Sequence, residues 1–205
     1  MKEKISEMNK NFESIFKEIK NLLYLGANNR KHSFHTPTFS NISKKMTVES
    51  RIVVLRKFDE EKLLLNFHTD FRSPKILDLK KNNNSSFLFY DHSKKIQLRI
   101  KTLSNINNQN EIAKQSWDLT QLSSRKCYLT KKSPSSKTNI PEDGLPKHLQ
   151  GIDPTKNESE QGYNNFAVIQ NKIESIDWLY LSYSGHKRLS INFKNNMPEF
   201  SWLIP

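Results

Sequence analysis

The chain has 205 residues, of which 35% are hydrophobic, and its 33 Lys and Arg against 21 Asp and Glu give a formal net charge of +12. That length suits one domain with a sizeable core, and no apolar run approaches the ~20 residues of a membrane-spanning helix. The single cysteine, Cys127, excludes an internal disulfide and fits a reducing compartment. The pI near 9.7 and mean hydropathy of −0.76 reflect abundant Lys and Asn, but the apolar residues still fall in periodic runs, so a folded domain with polar loops is expected. The lysines are spread as isolated pairs such as Lys44-Lys45 and Lys131-Lys132, whereas a nucleic-acid footprint is clustered, so no nucleic-acid partner is expected. The start, MKEKISEMNK, lacks the apolar core of a secretory signal, and a cytoplasmic location is the expectation.

In chain order, Ile5, Met8, Phe12, Ile15, Ile19 and Leu22 follow a helical period, and Gly26 is a stop signal, which predicts an N-terminal packing helix over 1–26. Residues 34–42 alternate and predict a first strand, in which Pro37 argues for an edge or a bulge. Ile52–Leu55 and Leu63–Phe67 flank the charged run Asp59-Glu60-Glu61-Lys62, which predicts a hairpin. Ser73-Pro74 reads as a helix start, with Ile76, Leu77 and Leu79 facing inward, and Asn82-Asn83-Asn84 ends that helix. Ser86–Tyr90 and the strictly alternating Ile96–Leu103 predict two more strands. A helix is expected over Glu111–Leu122, with Trp117 in the core. From Thr130 to Gly162, four prolines and three glycines among Ser, Asn and Lys predict a long loop or partly disordered insertion. Phe166–Ile173, Ile176–Tyr183, Lys187–Phe193 and Phe200–Ile204 read as closing strands, with a tight turn at Ser184-Gly185. The pattern predicts one mostly β domain over 1–205 with flanking helices, an antiparallel barrel of six or seven strands.

The chemistry concentrates in RIVVLRKFDEEKLLLNFHTDFRSPK, residues 51–75. Arg51, Arg72, Ser73 and Lys75 place guanidinium, ammonium and hydroxyl donors around a predicted hairpin and helix N-terminus. One exposed arginine means little, but four donors at one junction suit a phosphate, which arginine's fork and a helix start both favour. His32, His35 and His148 lack the spacing of a zinc site, and no Gly-x-Ser-x-Gly elbow or glycine-rich phosphate loop is present.

Arg51–Arg56 (R-x-V-V-L-R) and Phe67–Lys75 (F-H-T-D-x-R-S-x-K), in this order and spacing, resemble the pyridoxamine 5'-phosphate oxidase-like, FMN-binding split-barrel superfamily. The resemblance covers roughly 34–129 and 164–205 and implies a split β-barrel that binds FMN at the seam of a homodimer. It implies that Arg51 and Lys75 hold the FMN phosphate, with Ser73, and with Arg72 in place of the arginine that usually precedes the lysine. It places the backbone of Ile52, Val53, Val54 and Leu55 against the flavin ring, and His68, Thr69 and Gln97 at positions that touch the flavin. Arg56 matches a position near the substrate phosphate. Ser116-Trp117, Leu122-Ser123, Arg125 and Tyr128 resemble a helical segment that reaches towards the flavin, which makes Arg125 a candidate ligand contact.

The C-terminal run resembles the family's closing strands, and Arg188, Ser190 and Asn192 align with the segment that orients substrate in the oxidase proper. The family's histidine and second arginine are replaced by Ser190 and Asn192, a departure on the substrate side that leaves the FMN-binding positions intact. The implied activity is hydride transfer from a small, anionic substrate to FMN, with reoxidation by oxygen and Arg56, Arg125, Arg188 and Ser190 on the substrate side. The alternative is a non-catalytic flavin or haem carrier or sensor on the same barrel.

Overall fold

The computed structural model describes the backbone of residues 2–205 and the side chains of residues 11–205, so the expected stripe positions Ile5 and Met8 lie outside the described side chains. Helix α1 (Lys2–Asn28) buries Phe12, Ile19, Leu22 and Leu23, the i, i+3, i+4 spacing of one apolar face. It runs through Gly26 rather than stopping there. Gly26 is needed for another reason: a Cβ at that position would lie 2.7 Å from Phe34 Cβ and 2.8 Å from the Phe34 carbonyl oxygen.

Among the described residues there are nine strands, β1 (Thr38–Ile42), β2 (Val48–Ile52), β3 (Lys57–Asp59), β4 (Leu64–Asp70), β5 (Asn84–Asp91), β6 (Ile96–Asn107), β7 (Phe166–Tyr180), β8 (Lys187–Lys194) and β9 (Met197–Leu203). They form one antiparallel sheet in the order β2-β1-β5-β6-β7-β4-β3, with β8 and β9 branching from β7. The expected count of six or seven was too low. Phe166–Ile173 and Ile176–Tyr183 merge into the single strand β7, because no turn residue separates them, while Ile52–Leu55 and the charged run yield parts of β2 and β3.

The expected hairpin is corrected in the same way. β2 pairs with β1 (Arg51 opposite Phe39), and the hairpin is β3–β4, with Phe58 opposite Leu65. β2 and β3 stand at opposite ends of the strand path, and residues 53–56 join them. Val53 N–H donates to the Pro37 carbonyl at 3.0 Å, Leu55 N–H to His35 at 2.9 Å and Arg56 N–H to Asn66 at 2.8 Å. Four residues thus stitch the two edges together and close the barrel. β7 splits its pairing: Phe166–Lys172 faces β4, and Ser175–Tyr180 faces β8.

Inside the barrel, Phe39, Phe67, Phe87 and Phe89 pack with Leu98, Ile100, Ile169 and Ile176. α1 covers the branch, and Phe12 stacks on Phe200 at 5.3 Å. A second core joins Ala113 and Trp117 of α3 (Glu111–Asp118) to Tyr128, Phe166 and Val168. The helix expected over 111–122 is interrupted: α3 ends at Asp118, and α4 (Leu122–Arg125) restarts the turn. The 130–162 segment, expected as a long loop or partly disordered insertion, contains helix α5 (Lys156–Glu160) with a capping box between Thr155 and Glu158. Among the described residues no helix is long and apolar enough to cross a membrane.

Candidate functional site

Helix α2 (Pro74–Lys81) starts as the sequence predicts, with Ser73 at the N-cap and proline in the first turn. Leu77, expected inside, is 52% exposed, while Ile76 and Leu79 are buried. The Ser73 hydroxyl does not cap the helix; it lies 2.8 Å from Lys75 Nζ, which also donates to Thr69 Oγ1 at 2.9 Å. Arg51, Ser73 and Lys75 line one cleft of about 480 Å³ at the start of α2. Arg51 donates to Asn41 Oδ1 and to the Glu49 carbonyl, and its guanidinium lies over the Phe39 ring, 5.9 Å from the centroid.

Two cations so placed repel. Burial, then the Arg51 charge, push the Lys75 ammonium down to about 8, against the opposite pull of Asp70. Burial likewise lowers the Arg51 guanidinium, against Glu49 and Asp78. An anion in the cleft relieves both penalties, because it supplies the countercharge that burial removed. The donor set and helix N-terminus therefore fit a phosphomonoester.

Arg72 requires a correction. Its guanidinium pairs with Asp70 at 2.7 Å and donates to the Thr130 carbonyl and hydroxyl at 3.0 and 2.9 Å. The Asp70 hydrogen bond raises its pKa. Arg72 is engaged as a tie between strand and loop and does not line the cleft. Ile52–Leu55 is the closing segment rather than a central strand: Val53 and Leu55 are buried, and Ile52 is 63% exposed. Because the Val53 and Leu55 amides donate to the 35–37 segment, alternation turns the Val54 N–H away from that neighbour.

Arg56 and His68 line a second cleft, of about 700 Å³, between the β3–β4 hairpin and the α3–α4 region. His68 Nε2 lies 2.7 Å from Ser116 Oγ. Burial, reinforced by the Arg56 cation, drives the imidazole down to about 3, so it is neutral at physiological pH and not a ready proton donor. Asn66 also lines this cleft, and its Oδ1 is buried without a hydrogen-bond partner.

The remaining expected residues lie elsewhere. Gln97 sits on the outer sheet face, paired in register with Tyr90 and Leu179, and lines neither cleft. Arg188 and Ser190 lie on the same face, where Asp177 binds Arg188 at 2.8 Å and Arg99 as well. Arg125 is a second correction. It is 4% exposed, sits over the Trp117 ring at 4.5 Å, and donates to the Trp117 carbonyl at 2.8 Å and to Glu160 at 2.6 Å. Its charge docks α5, which leaves no free donor for a ligand. Trp117 is fully buried, as the helical spacing predicts.

Sequence reasoning missed two residues, Asn41 and Ser135, and one contact of a residue it had named, Ser116. Asn41 holds Arg51 across the β1–β2 pair, which only the register reveals. Ser116 meets His68 across 48 positions of sequence. Ser135, in the long loop, lines the phosphate cleft, and nothing in its surroundings carries a motif.

Residues 11–107 match the model of the family described as pyridoxamine 5'-phosphate oxidase, FMN-binding domain. Among solved structures, a pyridoxamine 5'-phosphate oxidase-related, FMN-binding protein from Nostoc punctiforme is similar in fold. It has a TM-score of 0.73 and 16% identity, over 92% of this chain and 96% of that one. PhzG from Burkholderia lata, solved with tetrahydrophenazine-1-carboxylic acid, has a TM-score of 0.70 and 14% identity, over 93% of this chain and 92% of that one. No curated protein matches the sequence.

Proposed function

Because residues 11–107 belong to the pyridoxamine 5'-phosphate oxidase, FMN-binding domain family and the chain has the split-barrel fold of its structural relatives, we propose that this protein binds FMN and acts as an FMN-dependent oxidoreductase. The observation that carries the reading is the convergence of Arg51, Lys75 and Ser73 in one cleft at the start of α2. Arg51 and Lys75 neutralise the phosphate, and Ser73 and Thr69 orient the ammonium. The closing segment 52–55 presents its backbone beside the barrel edge, with the Val54 N–H a donor for the polar edge of the ring. FMN, when bound, supplies hydride acceptance and onward electron transfer, to oxygen in an oxidase. Arg56 attracts an anionic substrate to the larger cleft, and neutral His68, held by Ser116, shapes its wall. PhzG, with the same fold, holds an aromatic carboxylic acid, which agrees with an anionic aromatic substrate here.

The outer face offers the seam for a homodimer. Ile52, Leu88 and Tyr90 are exposed there at 63%, 42% and 43%, around the Arg99–Asp177–Arg188 ion cluster. A second copy on this face brings Gln97, Arg188 and Ser190 against a neighbouring flavin, which their own protomer's clefts do not do. A non-catalytic flavin or haem carrier is the second reading. It is favoured by the substrate-side positions, where Asn192 Nδ2 donates to Ser190 Oγ at 3.2 Å and neither residue is a charged anchor. The test is to titrate purified protein with FMN, then add pyridoxamine phosphate under air. A yellow protein that bleaches and releases peroxide supports the oxidase, and a yellow, inert one supports the carrier. Unchanged FMN affinity after R51E together with K75E overturns the oxidase and the flavin carrier alike.

A further inference from the structure

The loop beyond Thr130 is built in a way that its composition does not announce. Lys131 N–H donates to the Gly144 carbonyl at 3.0 Å, which brings the ends of 131–144 together. Lys132 pairs with Glu142 at 2.9 Å. The Ser133 and Ser136 hydroxyls meet at 3.0 Å, and Ser136 N–H donates to the Ser133 carbonyl. The tip is exposed to solvent, and Ser135 in it lines the same cleft as Arg51, Ser73 and Lys75. Ser135 has φ 68, a left-handed backbone that non-glycine residues adopt at a cost. The base of the loop is held by Arg72, whose two bonds to Thr130 and ion pair with Asp70 join it to the strand that carries Thr69.

We propose that residues 131–144 form a flap over the phosphate cleft, in which Ser135 is a further phosphate donor and Arg72 is the positioning residue that holds the flap in place. The inference rests on the flavin reading above. A hydroxyl suits this position. Lys44, Lys45, Arg51 and Lys75 already line the cleft, with Glu49 and Asp78 beside them, so a neutral donor adds a bond to the anion without adding to the repulsion among the cations. The flap also explains why a motif arginine next to the phosphate residues does not itself face the cleft.

The test compares FMN with riboflavin, which lacks the phosphate, in fluorescence titrations of the full chain. S135A should weaken FMN binding roughly ten- to a hundredfold, the loss of one bond to a charged group, and leave riboflavin unchanged. FMN, but not riboflavin, should slow tryptic cleavage at Lys131, Lys132 and Lys137. R72A should lose that protection, and R72K should regain part of it. A merely structural role for Arg72 would speed cleavage with or without ligand and leave the FMN-to-riboflavin ratio alone. If R72A does not fold, T130V, which removes one of the two acceptors, carries the same comparison. An unchanged ratio in S135A, or FMN protection that survives in R72A or T130V, overturns the flap while FMN binding stands. A wild type that does not prefer FMN to riboflavin overturns the flavin reading, and the flap with it.

Discussion

Lys75 is the residue most sensitive to what fills the cleft. Its folded pKa of about 8 lies below the ordinary 10.5, so the unfolded chain holds more protons between those values and stability rises with pH across that window. Below about 8 the buried charge is a standing cost. K75M should therefore melt higher than wild type at pH 7 in the absence of ligand, and the gap should narrow from pH 8 towards 10.5. The linkage reverses for the ligand: a phosphate dianion needs the ammonium, so FMN affinity should fall as pH rises past about 8 in wild type and stay flat in K75M. Titrations at several pH values check both signs. His68 gives the acid counterpart. Its pKa is lowered from 6.5 to about 3, so its contribution is present above 6.5 and lost as pH falls towards 3. Wild type should lose melting temperature faster than H68Q over that range. The residue identities were legible in the sequence, since Arg51, Ser73 and Lys75 meet as their spacing suggests. Arg72 and Arg125 misled because a guanidinium reads the same in a motif whether it faces a ligand or a carboxylate of its own chain. Only the positions of Asp70 and Glu160 separate the two cases.

At the scale of elements, periodicity was a good guide to α1, α2, β5 and β6, where one face is buried and the alternation is unbroken. It failed where pairing rather than pattern decides. Ile52–Leu55 is as apolar as a central strand, yet only Ile52 pairs in the sheet, with Thr38, and Val53 and Leu55 bond to the 35–37 segment. Composition also hid α5, five residues fixed by a capping box and by Arg125. R125M should remove that anchor and cost about 1.5–3 kcal/mol, the range for a hydrogen bond to a charged group. Thermal melts, with faster proteolysis near Glu160, are the measurement. Gly26 shows the opposite error, a residue read as a stop that is in fact a point of close approach. G26A should destabilise by about 1–3 kcal/mol through overpacking against Phe34, visible as a lower denaturation midpoint.

For the whole molecule, the mostly β class and the antiparallel barrel were legible because the strands carry their own turns. The strand order was not, because β2 and β3 are neighbours in sequence and opposite ends of the sheet path. The outer face leads to the prediction at this scale. L88D introduces a charge among exposed apolar residues, and it should shift a dimer towards monomer in sedimentation without lowering the melting temperature of the protomer. A wild type that sediments as a monomer at all concentrations removes the homodimer from the proposal.

Residues 53–56 have one more consequence. The strip of main chain that seals the cylinder is also the strip proposed to lie beside the coenzyme, so loading and closure share a hinge line. The Val53 and Leu55 amides, bonded to the 35–37 segment, should exchange with deuterium faster in the empty protein and slow markedly on loading, while amides in the middle of β6 keep their pace. On this account the bound vitamin derivative serves as a rivet for the wall as well as a reagent.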